Sequence, residues 1–188
     1  MNDLKYKIIP SHVAILVPSV DKAAQYLQNF NFQFGPKEEF EITREIYVHM
    51  EKSNSLLLME PKGPGSYQRA LEKRGPGIHH FAIDVLDVNS YLHSIRNSGW
   101  FLHLNSLSAL KNYQTAYLAR PGFPALIEVQ EKEQLSDSPL FVEKITLPLD
   151  SRQKELVRVI GLESVVVPGT NCMITLAGNN IELKELLK

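Results

Sequence analysis

His12-Val13-Ala14-Ile15-Leu16-Val17 reappears as His80-Phe81-Ala82-Ile83-Asp84-Val85, with histidine at the head and apolar residues at alternating places. That alternation is the pattern of a β-strand with a buried face, so two matching strands are expected. Each is followed by a helix signal. Ser19 and Asp21 precede Ala23, Ala24, Leu27 and Phe30, and Asp87 precedes Val88, Tyr91, Leu92 and Ile95 ahead of Gly99. Strand-like runs at Glu45 to Met50, Leu56 to Glu60, Thr115 to Leu118 and Ala125 to Gln130 complete the pattern, punctuated by Gly, Pro, Asn and Ser. The unit is β-α-β-β-β, and it occurs over residues 8–61 and again over 77–131. Ser66 to Arg74, between the two, reads as a short surface connector helix ended by Gly75.

A polar linker, Lys132 to Pro139, leads to a third copy expected over residues 140–188. It offers Val142 to Leu147 as strand, Asp150 as cap, and Leu156, Val157 and Ile160 before Gly161 as helix. Glu163 to Val167, Met173 to Leu176 and Ile181 to Leu186 supply its remaining strands. The last of these matches internally, Ile181-Glu182-Leu183-Lys184-Glu185 against Ile127-Glu128-Val129-Gln130-Glu131. The fold class is therefore α+β, two paired β-α-β-β-β modules with a third unpaired. An unpaired module needs a partner for its apolar face, and the simplest is a second chain, giving an isologous homodimer. In the competing arrangement it caps the paired sheet of a monomer.

Composition narrows the function classes. The 188 residues are 44% hydrophobic and 22% charged, within the range of a soluble globular protein. The formal net charge of -1, from 20 basic and 21 acidic residues, gives no overall positive field for nucleic acid or an anionic membrane. Cys172 is the single cysteine, which excludes an intramolecular disulfide and any multi-cysteine zinc or iron–sulfur site. The start, MNDLKYKIIP, has no long apolar core, and no stretch approaches the roughly 18 apolar residues that span a bilayer. The expected compartment is the cytoplasm, and the expected partner a small molecule.

The repeat also selects residues. Histidine heads the first strand of both modules, and the match to His12 picks His80 over its neighbour His79. His79 then shares a strand face with Phe81, Ile83 and Val85, which predicts a packed or helix-covered role. Glu128 is an ionisable residue in the run Ala125-Leu126-Ile127, where burial without a partner is costly. If the modules pair about a pseudo-twofold axis, His12, His80 and Glu128 converge as a 2-His-1-carboxylate set, which binds one face of an octahedral divalent ion. The bland alternative is three unrelated strand residues. In the third module Val142 stands at the histidine position, and Glu182 is expected to be an exposed strand carboxylate.

Three stretches carry a family resemblance: HVAILVPSVDKA ending at Ala23, MEPKGPGSYQRALEKRGPGIHHFAIDV from Met59 to Val85, and ALIEV from Ala125 to Val129. They resemble the vicinal oxygen chelate superfamily of glyoxalases, bleomycin resistance proteins and extradiol dioxygenases, and within it the methylmalonyl-CoA epimerases. The resemblance implies an open, curved, barrel-like sheet around a divalent metal such as Fe, Co, Mn, Ni or Zn, with ligand positions at His12, Leu57, His80 and Glu128. Three match. Leu57 departs, because epimerase and glyoxalase relatives carry Glu or Gln there, and Glu60 lies three residues away on the opposite strand face. The extradiol dioxygenases use only the three retained positions.

The implied activity is that of a lyase or isomerase that abstracts an α-proton from a small acyl or acyl-CoA substrate chelated to the metal. Tyr47 and His49 share a strand face and are the candidate bases. Histidine as a residue type, unperturbed at about 6.5, suits the task better than tyrosine, which favours His49, and Glu128 contributes as ligand and catalytic carboxylate. The alternatives are an Fe(II) extradiol-type dioxygenase, with Leu57 as an apolar wall and His103 as acid–base partner, and a non-catalytic small-molecule binding protein.

Overall fold

The computed structural model describes residues 7–49, 53–104, 106–136 and 138–188. Met50, expected to end a strand, and Asp137 of the linker lie outside these. The first module runs β1 (Ile9–Leu16), α1 (Val20–Leu27), β2 (Gln33–Phe34), β3 (Glu38–Glu39), β4 (Thr43–His49) and β5 (Ser55–Pro61). After the connector α2 (Ser66–Arg74), the second runs β6 (Gly77–Val85), α3 (Val88–Ser94), β7 (Phe101–Leu102), α4 (Ser106–Tyr113), β8 (Thr115–Ala119) and β9 (Leu126–Glu131). All join one open sheet in the order β2-β4-β5-β1-β6-β9-β8-β7, with β3 on β4. β1 and β6 pair antiparallel at the centre, and each pairs in parallel with the last strand of its own module. The pseudo-twofold axis passes between β1 and β6.

Matching local chemistry builds the two crossovers. The Ser19 hydroxyl caps α1 by accepting the Lys22 N–H, and the Asp87 carboxylate caps α3 by accepting that of Ser90, interactions worth about 1 kcal/mol each. A second carboxylate reaches each helix from the last strand. Glu60 accepts the Val20 N–H at 2.8 Å, and Glu131 accepts the Val88 N–H at 3.0 Å. Negative charge at a helix N-terminus is favourable, so the glutamate ending β5 fastens the crossover and is spent there. That leaves Glu60 unable to replace Leu57.

Strand alternation divides the side chains between two faces. Ile15, Ile46, Val48, Leu56, Leu58, Phe81, Ile83, Ile127 and Val129 point to the convex face, where α1 and α3 lie, and are buried in the main core. Ala14, Leu16, Leu57 and Met59 form a smaller concave cluster, covered by Tyr47 and by Tyr67, Ala70 and Leu71 of α2. The connector is thus a partial roof over the concave side. Gly63-Pro64-Gly65 and Gly75-Pro76-Gly77 bracket it, and the φ of 74° at Gly75 is one that a side chain would resist.

The third segment corrects two expectations. It folds as β10 (Val142–Leu147), α5 (Ser151–Val159), β11 (Val166–Pro168), β12 (Met173–Leu176), β13 (Asn179–Glu182) and α6 (Leu183–Leu186). Its sheet order is β11-β10-β12-β13, so β10 pairs in parallel with the strand straight after its helix, whereas β1 and β6 pair in parallel with the last strand of their modules. The stretch read as a final strand, Ile181 to Leu186, turns helical at Leu183. Leu183 and Leu186 then fall on one face and are buried, a periodicity that the match to Ile127 and Val129 concealed.

Nor is its apolar face open. Val142, Ile145, Leu156 and Val157 belong to the same core as the convex face of the large sheet. Buried Asn54 clamps β10 by donating to the Val142 carbonyl at 3.1 Å and accepting its N–H at 2.8 Å. Tyr91 Oη and Trp100 Nε1 donate to the carbonyls of Ile160 and Leu156. The module caps the sheet within the chain, which removes the exposed face on which a homodimer through this segment rested. Among the described residues no helix is long and apolar enough to cross a membrane.

Candidate metal centre

His12 on β1, His80 on β6 and Glu128 on β9 meet on the concave face, and one ligand atom from each lies within 4.8 Å of the others. His12 Nε2 is 3.0 Å from His80 Nε2; Glu128 Oε2 is 3.1 Å from His80 Nε2 and 3.7 Å from His12 Nε2. Register explains the convergence. His12 stands opposite Ala82 and His80 opposite Ala14, so the two imidazoles flank the axis over small neighbours, and β9 places Glu128 beside Ala82. All three are at most 8% exposed.

The surrounding groups orient this set. Tyr117 Oη and Gln130 Nε2 both donate to Glu128 Oε1, at 3.2 and 3.0 Å, which turns Oε2 toward the histidines. His79 Nδ1 lies 2.9 Å from His80 Nδ1, fixing that ring with Nε2 inward. This corrects the expected strand face of His79, while Tyr67 of α2 covers the ring. In the pairing of β6 with β1, Ala14 faces His80 while Ile15 faces Ile78, so His79 is the extra residue of a β-bulge, and a bulge re-aims its side chain. His79 therefore joins His80 on the concave face, edge to face with the His80 ring and tilted against that of Tyr67 at 5.2 Å.

Electrostatics keep the donors ready for a cation. Burial, reinforced by His80, holds the His12 imidazole neutral with a pKa of about 3. Burial alone would raise the Glu128 carboxyl, but its hydrogen bond with His80 and the charges of both histidines hold it at about 2. His12 thus offers a neutral imidazole beside the ionised Glu128 carboxylate, and cis donors around an octahedral ion with bonds of about 2.1 Å sit about 3.0 Å apart. The residues fit a divalent transition ion. At the fourth position, Leu57 pairs with Ala14 as Glu128 pairs with Ala82, so the pseudo-symmetric mate of the carboxylate is an isobutyl group buried among Ala14, Leu16 and Met59.

Tyr47 and His49 occupy the concave face of β4. The Tyr47 ring lies edge-on to His12 at 5.9 Å, and burial pushes its hydroxyl up to about 12. His49 is level with Ser55 and, one strand further, with His12; among the described residues nothing bonds it to the three ligands. His103 follows β7, and its charge adds to the depression of the His79 pKa.

One carboxylate escaped the reading of the sequence. Glu45, on the same face of β4, is half-buried and accepts a hydrogen bond from Thr43 Oγ1 at 2.8 Å. Burial raises its pKa, and the charges of His80 and Glu128 act on it across the cup. The period of two that selects Tyr47 and His49 selects Glu45 equally. Tyr117 was also legible, because it pairs with Glu128 as Tyr47 pairs with Leu57.

A two-module sheet with a ligand set at its axis defines a recognised class. Residues 11–111 match the glyoxalase/bleomycin resistance protein/dioxygenase superfamily, and the chain belongs to it. Solved structures with the same fold include a hypothetical protein of Bacillus halodurans C-125, 21% identical, with a TM-score of 0.57, covering 70% of this chain and 99% of its own. The methylmalonyl-CoA epimerase of Mycobacterium tuberculosis is 26% identical, with a TM-score of 0.52, covering 65% of this chain and 86% of its own. A Streptomyces coelicolor methylmalonyl-CoA epimerase variant in complex with 2-nitronate-propionyl-CoA is 19% identical, with a TM-score of 0.52, covering 69% of this chain and all of its own. No curated protein matches the chain.

Proposed function

We propose that this protein is a metal-dependent isomerase or lyase that moves the proton α to the carbonyl of a small acyl or acyl-CoA substrate. The observation that carries the reading is Glu45, a second carboxyl on the concave face whose pKa burial raises. A general base works best when its pKa approaches the operating pH. His12, His80 and Glu128 would hold a divalent ion, which supplies Lewis-acid stabilisation of charge developing on the substrate oxygens. Glu45 takes the α-proton, and His49, on the same strand face, is the second proton carrier. Ala14, Leu16, Leu57 and Met59, packed under Tyr47 and under Tyr67, Ala70 and Leu71 of α2, give the ligands a dry apolar flank. The epimerase among the neighbours at 26% identity supports the same chemistry.

The test is deuterium wash-in. Metal-supplemented protein in D2O should load deuterium at the α-carbon of methylmalonyl-CoA or propionyl-CoA, and Glu45→Gln should stop this while metal binding persists. Exchange no faster than the solvent background rejects the proposal.

Leu57 favours one second reading. A 2-His-1-Glu face beside an apolar wall is also the ligand set of an Fe(II) dioxygenase, and oxygen consumption with a catechol panel would reveal that activity. A single free cysteine suits the cytoplasm. Light scattering of the full-length chain reads its oligomeric state, for which the third module no longer argues.

A further inference from the structure

A cavity of about 490 Å³ lies where the C-terminal end of β1 meets the third module. Its apolar wall includes Leu16, Ile78, Leu147 and Leu183, and its charged lining groups are Arg74, at the end of α2, and Lys184, on α6. Among the described residues no carboxylate lines it. Arg74 and His79 both line it, and the Arg74 guanidinium also donates to the carbonyl of Pro124, another lining residue, at 3.5 Å. The Lys184 ammonium pairs with Glu182, and both are largely exposed, so an incoming anion can compete for it.

Two of its walls are shared with the candidate metal centre. Leu16 belongs to the concave cluster, and His79 touches His80. Leu147, Cys172, Leu183 and Lys184 come from the third segment, beyond the residues 11–111 that match the superfamily. The volume is within the range of small-molecule sites, and apolar walls with a few placed polar groups are their usual lining.

We infer that this cavity is the recognition subsite for the remote part of the cup's substrate, an apolar chain bearing an anionic group that lies between Arg74 and Lys184. The assignment of the reactive end rests on the acyl reading above; occupancy of the cavity is measurable without it. The third module, on this account, selects substrate as well as capping the sheet.

Cys172 is the reporter, being the single cysteine, exposed, and part of the cavity lining. Its alkylation by N-ethylmaleimide is followed by mass spectrometry on the full-length protein, with octanoate, octanoyl-CoA or neutral octanol added. At about ten times its Kd, a ligand filling the cavity slows alkylation roughly tenfold. Protection by octanoate places a carboxylate between the cations; protection by octanoyl-CoA alone places a phosphate of the carrier there. Arg74→Glu combined with Lys184→Glu should remove either effect, and both sites are exposed enough to leave folding intact. The inference is overturned if neither anion protects, if octanol protects as well, or if protection survives the double variant. Protection without α-proton exchange keeps the subsite and rejects the proton-transfer reading; exchange without protection does the reverse.

Discussion

Leu57 lies opposite Ala14 in the register in which Glu128 lies opposite Ala82, so the two modules place an isobutyl group and a carboxylate at one pseudo-symmetric position. Leu57→Glu would place a carboxylate at the pseudo-symmetric mate of Glu128. Without metal, the new carboxylate is buried beside Ala14, Leu16 and Met59, and the protein should lose about 1–3 kcal/mol. Added Co²⁺ or Zn²⁺ should then raise Tm by more in this variant than in the parent. An equal or smaller rise shows that position 57 does not face the bound ion.

Tyr117 and Gln130 together turn Glu128 toward the histidines. Tyr117→Phe should weaken metal binding about 10- to 100-fold, the usual effect of losing such an orienting bond. Calorimetric titration with Co²⁺ measures this, and unchanged affinity shows that the hydrogen bond does not position the ligand.

The raised pKa of Glu45 fixes the sign of a pH effect. A base must be ionised, and burial favours the protonated carboxyl, so kcat/KM should rise with pH along a limb centred above the ordinary glutamate value of about 4.3. Glu38 and Glu128 push the limb up, while Thr43 and His80 draw it down. In Glu45→Gln the limb should vanish with the activity. A profile in which the variant keeps both assigns the base elsewhere.

These positions also show how far the sequence could be read. The repeat headed by His12 and His80 was enough for the strand pairing, the axis and the convergence of Glu128, because register follows from alternation once the modules match. The strand face of His79 was misread because a bulge breaks that alternation without changing residue types. Glu45 was within reach of the rule that found Tyr47. The third segment misled because its alignment with Ile127 to Glu131 was compatible with either period, and the helical one prevailed when Leu183 and Leu186 found a core to join. Tyr67 could not be found, since its place over His79 depends on how α2 folds back across the sheet.

Asn54 tests the docking of the third segment. Asn54→Ala leaves the N–H and carbonyl of Val142 without their partners in a buried place, at roughly 1–3 kcal/mol for each group. Urea unfolding should show a midpoint lowered accordingly, in a single transition, since one core serves all three modules. Two separate transitions in the parent protein would contradict a shared core.

Everything proposed for the cup depends on His12, His80 and Glu128 holding an ion. The direct measurement is metal content after dialysis against Fe²⁺, Co²⁺, Mn²⁺, Ni²⁺ or Zn²⁺ and gel filtration, for the parent chain beside His12→Ala, His80→Ala and Glu128→Gln. The account predicts one ion per chain for at least one of these metals, lost in each variant. Failure of all five to bind stoichiometrically, or binding that survives the three substitutions, would contradict it.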